Sequence, residues 1–379
     1  MNLQNPRVQR LVLAIGAPVL ALLAAFAITS LVLLIAGDSV SGVWGQILSL
    51  PTPRGYINII NAATVYYLSA VAVAIGFRMN LFNIGVDGQY RVASFAAAVV
   101  AGEAWLPGYL NTLLAVIAAI AVGAVWAGIA GLLRVTRGVS EVISTIMLNS
   151  IATALVAYLL RKAAVEDEGS NIVATKTVPE GSRIPGISAF GVPEETATIY
   201  GFVFLAILVG FAYWFVINRT RFGFDLRATG QSETAAVASG INVKKMIVIS
   251  MLLSGAAAGL VGLPLLFGND YSYGSTFQSG LGFAGIAIAL LGRNHPVGIA
   301  LGAILFAFLD EQSNPLQILL NVSPDIVKIT QGVIVLTVVI AYELVRRYRV
   351  RLEQRQVASA LDDDLDAPLD PAAAEEAAK

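Results

Sequence analysis

Long apolar runs follow one another along this sequence, and they constrain its fold more than any other feature. About 20 apolar residues suffice to cross the hydrocarbon core of a bilayer. We assign spans to ten runs: residues 11–36, 57–76, 86–104, 109–133, 141–160, 199–217, 246–267, 279–292, 296–311 and 324–345. Only 13% of the residues are charged, against about 25% in soluble domains. The sequence therefore predicts an all-α polytopic membrane protein with about ten transmembrane helices, and excludes a soluble multidomain protein.

The distribution of basic residues predicts the orientation of these spans. Ten spans place both termini on the same side of the membrane. Apart from the terminal Lys379, the segments on that side hold 17 Lys and Arg residues, and the opposite segments hold 6. Because Lys and Arg accumulate in cytoplasmic loops, both termini are predicted to be cytoplasmic. Spans 279–292 and 296–311 are short, so a hairpin that turns back within the membrane stays an alternative there.

The segments outside the spans divide the chain further. Residues 1–345 are predicted to form one transmembrane domain. It carries an acidic, proline-containing outer loop (residues 161–198) and an inner loop on the cytoplasmic side (residues 218–245). Residues 346–379 form a cytoplasmic basic stretch followed by an acidic tail rich in Ala and Pro. That tail has too little apolar content to fold, so we expect it to be disordered.

Several classes of function are excluded by composition. The chain has no cysteine and one histidine, which leaves no disulfide framework, no thiolate metal site and no basis for a His-based catalytic triad. The histidine, His295, precedes Pro296 and is interpreted as a turn residue. A net charge of -1 gives no basic field for nucleic acid. No phosphate-binding Gly-x-x-x-x-Gly-Lys-Ser/Thr loop occurs, so the chain is predicted to bind no ATP and to be no enzyme.

Two polar interruptions break the apolar pattern. The first, the motif loop (residues 76–89), contains Asn83, Asp87 and Gln89 between glycines. It fits a tight cytoplasmic turn. The alternative is a turn whose polar side chains shape a solute pathway, because irregular backbone at membrane depth must be buried or line a cavity. The second begins at residues 279–285, with Phe283, and ends at residues 292–296. Interrupted segments in both halves are typical of transport proteins with discontinuous helices.

A polar face lies at the start of the fifth span. Glu141, Ser144 and Asn149 recur at helical spacing, so they share one side of a helix. Such a face must contact other helices or a cavity, since lipid exposure is costly. Interhelical hydrogen bonding explains it without any solute, whereas a pathway makes Asn149 the best candidate for touching a polar substrate.

The acidic residues within the apolar region bear on how transport is driven. Asp87, Glu141, Asp310, Glu311 and Asp325 all lie near predicted span ends. A proton-driven carrier usually needs a carboxylate near the midplane. The sequence therefore argues against a carrier of that type.

The inner loop is longer than a plain connection requires. Ser232 is a suitable N-cap for a short helix from Glu233 to Ser239, and Gly240 can end it. The small residues of this helix allow close approach by a partner. We therefore predict a docking helix along the membrane face.

These motifs resemble those of one family. Residues 77–89 (FRMNLFNIGVDGQ) look like the FRxGLFNIGxEGQ signature of ABC-importer permeases for nucleosides and simple sugars, a ribose-type group related to branched-chain amino acid permeases. Residues 141–149 (EVISTIMLN), 227–230 (RATG), 254–259 (SGAAAG) and 282–287 (GFAGIA) also resemble its motifs, in the family's order. Asp87 replaces the usual Glu, and Asn80 replaces a common Gly.

The resemblance implies a membrane subunit of a bacterial importer that transports nucleosides, with simple sugars as the alternative. A stand-alone ion-coupled carrier, which belongs to a different class of transporter, is the competing hypothesis. The resemblance also implies two ATP-binding subunits that hold ATP and Mg, a second permease in a heterodimer, and an external solute-binding protein or lipoprotein. It assigns a substrate pathway to Asn83, Asp87, Gln89, Glu141, Ser144, Asn149 and Phe283. It assigns contact with the ATPase to Arg227, Gly230, Glu233, Ala235, Ala236, Gly240 and Ile241.

Overall fold

The computed structural model describes residues 6–165 and 173–365, and in these ranges the chain is helical. The first helices are α1 (Pro6–Ala36), α2 (Val40–Ile47), α3 (Pro53–Arg78), α4 (Val86–Glu103), α5 (Tyr109–Arg137), α6 (Glu141–Ala163) and α7 (Val203–Arg219). They are followed by α8 (Arg221–Gln231), α9 (Glu233–Ala238), α10 (Val243–Gly259), α11 (Leu263–Leu265), α12 (Leu281–Leu291), α13 (Pro296–Leu320) and α14 (Asp325–Leu365). A 3-10 turn covers Glu180–Ser182, and a π-helical turn covers Leu266–Asp270. The β-structure within the described ranges consists of isolated bridges.

The prediction of an all-α membrane protein is confirmed. Among the residues that the structure describes, six helices are long and apolar enough to cross a membrane: α3, α5, α6, the segment Val243–Asp270, α13 and the Asp325–Val345 part of α14. The pair α7 and α8, bent by 72°, adds a seventh if it is taken as one broken span. Leu22–Ala36 of α1 and all of α12 are shorter apolar helices. A count of ten spans and the cytoplasmic location of both termini stay predictions.

The chain divides into two compact units. The larger unit comprises residues 36–331, and the smaller comprises residues 1–35 and 332–379. Within the smaller unit, α14 continues past the membrane-length segment, and Glu343 accepts from Arg347 one helical turn later at 2.7 Å. This helix includes the first residues of the acidic segment and ends at Leu365. The rest of that tail, residues 366–379, lies outside the described residues.

The core of the larger unit is built around α3 and α10. In α3, 78% of the most apolar window is buried, and in the segment Val243–Asp270 the value is 72%, against 28% for α5 and α6. Helix α10 packs closely on α5 through small residues. A side chain at Gly123 would meet the backbone of Gly255 and Gly259. Small residues at such contacts let two membrane helices approach closely.

Discontinuous helices occur in the second half, as the sequence predicts. Helix α12 has 11 residues and is therefore about 17 Å long, too short for a hydrocarbon core of about 30 Å. Helix α10 ends at Gly259, and the chain continues through α11, which has Pro264 in its first turn. The π-helical turn then completes the segment.

One span boundary was placed wrongly by the sequence. The ninth span was expected to end at residue 311, whereas α13 continues to Leu320. Asp310 and Glu311 therefore lie inside a helix and not at its end. Their polar groups have partners, because Tyr66 and Gln331 donate to Asp310 and Asn58 donates to Glu311. The argument against a proton-driven carrier, which relied on acids at span ends, loses that support.

The outer loop is attached to the helices at several points. Thr112 of α5 donates to the Ser182 carbonyl at 2.5 Å. Asn61 of α3 donates to the Thr198 carbonyl at 2.9 Å. The Thr175 amide donates to the Tyr273 carbonyl at 3.0 Å. These bonds fix the described part of the loop; residues 166–172 lie outside the described ranges.

Candidate functional site

The motif loop joins α3 to α4 through an irregular turn. After Arg78, the chain reverses at Asn80, which has a positive φ of 58°. The Leu81 amide donates back to the Gly76 carbonyl at 3.0 Å, which closes the turn. Arg78 donates from Nη2 to the Asn294 carbonyl at 2.7 Å, at the turn between α12 and α13. The loop is thus a tight turn that is also attached to the second polar interruption.

Asn83 is the centre of the loop and is fully buried. Its amide forms a reciprocal pair with Gln89, with bonds of 3.0 and 2.8 Å. Its Nδ2 also donates to Ser254 Oγ at 2.8 Å, and its Oδ1 accepts from the Gly85 amide at 3.0 Å. Ser254 in turn donates to the Ala72 carbonyl at 2.6 Å. Because the donor and acceptor atoms of the buried Asn83 amide are all hydrogen-bonded, this side chain holds the loop between α3, α4 and α10.

Asp87 joins the two polar interruptions. It lies in the first turn of α4, where a carboxylate is favourable for the helix dipole. Its Oδ1 accepts from the Gly282 amide at 3.4 Å, in the first turn of α12. A Cβ at Gly282 would lie 2.7 Å from the Asp87 Cα, so the close approach requires glycine. Arg91 lies 4.0 Å from the other carboxylate oxygen.

Asn149 of α6 caps α4 from a neighbouring helix. Its Oδ1 accepts from the Gly88 amide at 2.8 Å, and its Nδ2 donates to the Ile84 carbonyl at 2.9 Å. Helix α4 has no side-chain cap of its own, and its first amides lack intrahelical partners. The contact is an interhelical hydrogen bond of the kind that explains the polar face without a solute.

Glu141 connects the motif loop to the end of α5. Its Oε1 accepts from the Phe82 amide at 3.3 Å, and its Oε2 forms an ion pair with Arg134. Two other predicted pathway residues do not join this cluster. Ser144 donates to the Ser140 carbonyl of its own helix, and the Phe283 side chain is 55% exposed.

The predicted helix in the inner loop is confirmed as α9. Ser232 accepts from the Ala235 amide at 3.2 Å, as an N-cap should. Gly240 has a φ of +79°, and the Ile241 amide donates to the Ala236 carbonyl at 3.0 Å. This is the left-handed glycine stop of a helix. The helix ends at Ala238, one residue before the predicted end.

One side of α9 is open to solvent. Ala236 is buried, whereas Ala235 is exposed and Val237 is 61% exposed. The inner loop also contacts the motif loop, since a Cβ at Gly230 would lie 2.8 Å from the Arg78 carbonyl oxygen. Arg227 lies in α8 and is half-buried. The predicted docking residues thus share one side of the molecule with the motif loop.

Sequence reasoning missed two residues that complete these contacts. Ser254 was noted only within a motif of small residues, and its link to Asn83 follows from the packing of α10. Arg134 was counted as one more basic residue at a span end, yet it pairs with Glu141 and lies 3.4 Å from Glu233 of α9. Its position one helix turn before α5 ends, close to an acidic α6 start, was the available signal.

A cavity of about 850 Å³ opens beside this ion pair, between α9, α10 and the turn from α5 to α6. Its lining includes Arg134, Glu141, Glu233, Gly240 and Lys244. Within the described ranges, no group of three or more His, Asp or Glu side chains is placed to hold a metal ion. The chemistry of this region is therefore that of charge pairs and backbone amides.

Comparison with known proteins identifies relatives over most of the chain. The family model described as "Branched-chain amino acid transport system / permease component" matches residues 55–339. The guanosine ABC transporter permease protein NupP of Bacillus subtilis is 34% identical over 337 residues, 86% of this chain and 93% of that protein. The glucose ABC transporter permease protein TsgB13 of Haloferax volcanii is 30% identical, over 89% of this chain and 90% of that protein. The guanosine ABC transporter permease protein NupQ of Bacillus subtilis is 27% identical, over 69% of this chain and 80% of that protein.

Proposed function

We propose, on the premise that this chain belongs to the branched-chain amino acid transport system / permease component family, that it forms the membrane pathway of an ATP-driven importer for nucleosides. Its role as a permease subunit follows from the family. The choice of nucleosides is carried by one observation, the 34% identity to a guanosine permease protein over 86% of this chain.

The work of transport is divided between chains. This chain is a transport subunit and not an enzyme, and ABC permeases act with ATP-binding subunits and a substrate-binding protein. In our proposal the ATP-binding subunits hold ATP and Mg and hydrolyse the nucleotide, while this chain binds no cofactor. They dock on the exposed side of α9, around Glu233, Ala235, Gly240 and Ile241, with Arg227 and Gly230 of α8 supporting the helix.

The second permease of the complex is a different chain in this proposal. Two guanosine ABC transporter permease proteins of one organism, NupP and NupQ, both resemble this chain. Two such proteins in one organism support a heterodimer, in which each permease contributes one half of the pathway. The complex lies in the bacterial cell membrane, with ten spans and both termini of this chain in the cytoplasm.

The predicted pathway residues fall into two groups in this proposal. Asn83, Asp87, Gln89 and Asn149 have their polar atoms committed to protein partners, so they set the shape of the pathway wall and do not hold the solute. Phe283 is the member with a free face, because its ring is more than half exposed. An exposed aromatic ring suits contact with a nucleobase.

Simple sugars are the second candidate solute. A relative described as a glucose permease is 30% identical over 89% of this chain, close to the identity of the guanosine relative. Both solute classes present hydroxyl groups on a ring, and a nucleoside adds a base. The distinction therefore depends on the base.

The test is to purify the tagged chain from its native membrane with its partners and reconstitute the complex in liposomes. We expect an ATP-binding subunit, a second permease and a solute-binding lipoprotein to copurify. We expect ATP-dependent uptake of labelled guanosine that excess uridine suppresses and excess glucose does not. Suppression by glucose alone would select the sugar importer. Uptake by this chain alone, driven by an ion gradient without ATP, would overturn the proposal in favour of a single-chain carrier.

A further inference from the structure

Arg134 lies between the inner loop and the motif loop, and neither the family assignment nor the sequence gives it a role. We propose that Arg134 is a positioning residue that transmits the movement of α9 to the motif loop. The route runs from Glu233 through Arg134 to Glu141 and ends at the Phe82 amide. This inference rests on the proposed function, since it needs a helix that a partner moves.

The inner part of this route is rigid. The Glu141 side chain is only 6% exposed, and its two oxygens are divided between Arg134 and the Phe82 amide. A buried carboxylate that lost its cation would be left without compensation, so the pair is held together strongly. Any change in the position of the Arg134 guanidinium is therefore passed to Glu141 and to the backbone of the motif loop.

The outer part of the route is weaker and can be broken. Arg134 lies 3.4 Å from Glu233, whose side chain is 57% exposed. Ion pairs with this exposure contribute little to stability, because water competes for both partners. The guanidinium can keep both carboxylates at once, since its fork of donors serves two acceptors. A displacement of α9 therefore either moves the guanidinium together with Glu233 or releases it from Glu233, and both change the position that Arg134 holds beside Glu141.

The cavity beside the pair gives α9 room to move. Its volume of about 850 Å³ separates α9 from the turn between α5 and α6. The contacts of Arg134 beside this cavity are ion pairs with Glu141 and Glu233. Lys244, at the start of α10, also lines the cavity. The left-handed stop at Gly240 has no heavy atom within 4 Å of an added Cβ, so the end of α9 is not packed in place. The helix can therefore shift relative to Arg134 with only one of its own side chains, Ala236, buried in the core.

The experiment uses the complete complex and a reporter in the motif loop. This chain contains no cysteine, so Phe82→Cys gives it one labelling site, at a position that is 46% exposed. A spin label there reports loop movement when a non-hydrolysable ATP analogue is added, with no solute present. We expect the label spectrum to change in the otherwise unaltered complex, and the change to be lost when Glu233→Gln is added.

Two further variants distinguish the loss of movement transmitted from α9 from a general disturbance of the structure. Glu233→Asp keeps the carboxylate and should restore an intermediate response. Arg137→Gln removes an exposed cation in the same helical turn as Arg134 and should leave the response unchanged. Uptake of guanosine per ATP hydrolysed should fall about fivefold or more for Glu233→Gln, with ATP hydrolysis itself retained.

The outcomes distinguish this inference from the proposed function. An equal label response in Glu233→Gln and in its parent would overturn the inference, as would a response lost in Arg137→Gln or absent from the parent. Failure of the parent to import guanosine would count against the proposed solute only. The label response would still decide whether the contact between Glu233 and Arg134 carries the movement, because it needs no solute.

Discussion

The motif loop and the inner loop lie side by side and are built in opposite ways. In the motif loop, Asn83 is fully buried and bonds to Gln89, Gly85 and Ser254. In the inner loop, α9 has one buried residue, Ala236, and its caps are formed within the loop itself. The first segment depends on three helices for its shape, and the second depends mainly on its own sequence.

Because of this difference, the motif loop is fixed and α9 can move. Segments with few buried contacts and locally satisfied backbone open at low free-energy cost, whereas buried networks open only with the whole fold. The motif loop thus defines the geometry of the helices, and α9 can shift against it. Substitutions in the motif loop should lower global stability, and those in α9 should lower transport with little change in stability.

The largest effect is expected for Asn83→Leu. It leaves the Gly85 amide, the Gln89 amide and Ser254 without their buried partner, which costs about 3 kcal/mol or more. Thermal unfolding of the purified complex should begin at a markedly lower temperature. Asn218→Leu, at an exposed position, is the matched control. Equal unfolding temperatures for the two variants would remove the distinction between the loops.

A smaller loss of stability is expected for Asn149→Leu. The variant removes the cap from the Gly88 amide and the donor to the Ile84 carbonyl, a loss of about 2 kcal/mol by the scale for unsatisfied buried groups. Urea or thermal unfolding of the complex measures it. If uptake falls while unfolding is unchanged, Asn149 contacts solute and does not serve as a cap.

The substitution Gly240→Val should affect α9 and leave the motif loop unchanged. A β-branched residue with φ near +79° costs about 1–2 kcal/mol locally, and nothing lies within 4 Å for it to strike. We expect lower ATP-coupled uptake with an unchanged unfolding temperature. Gly240→Asn, which tolerates the left-handed region, should retain uptake. A lower unfolding temperature for the Val variant would show that α9 is part of the core.

The smallest effect is expected for Asp87→Glu, which introduces the residue usual in the family motif. The added methylene brings the carboxylate nearer to Arg91, now 4.0 Å away, and moves it relative to the Gly282 amide. The two changes oppose each other, so the stability should alter by less than about 0.5 kcal/mol. Differential scanning calorimetry with Asp87→Asn as the comparison measures it. A large loss with Glu would mean that the contact with α12 tolerates only the shorter acid.

The membrane-length helices followed from apolar runs, and α9 followed from its own caps at Ser232 and Gly240, whereas α2 and α8 were not predicted. The end of α13 was not predicted either, because Asp310, Glu311 and the polar residues after them interrupt the apolar pattern. Their partners come from distant segments. Gln312, for example, donates to the Ser49 carbonyl at 2.7 Å. When the polar side chains of a helix form their hydrogen bonds with distant segments, local periodicity does not reveal the helix.

For the candidate site, the sequence predicted which segments are involved but not which residues they contact. The motif loop and the polar face of α6 were recognised from their residue types, because polar side chains in an apolar region need partners. The partners themselves were not, since Ser254 and Gly282 lie about 170 to 200 residues away along the chain. Phe283 was placed in the pathway by its motif; its exposed ring lies outside the polar cluster, and its pathway role stays a prediction.

The shortness of α12 has a consequence for how the protein is made. Ser69 of α3 donates to the Leu281 carbonyl at the start of α12, and Asp87 accepts from Gly282. Helix α12 leaves the ribosome about 200 residues after α3, which is on the order of 10–40 s later at bacterial or eukaryotic rates of synthesis. During that interval the motif loop lacks its contact with α12. Because α12 is too short to cross the hydrocarbon core and contacts α3 and α4, the motif loop acquires its last neighbouring helix late in synthesis.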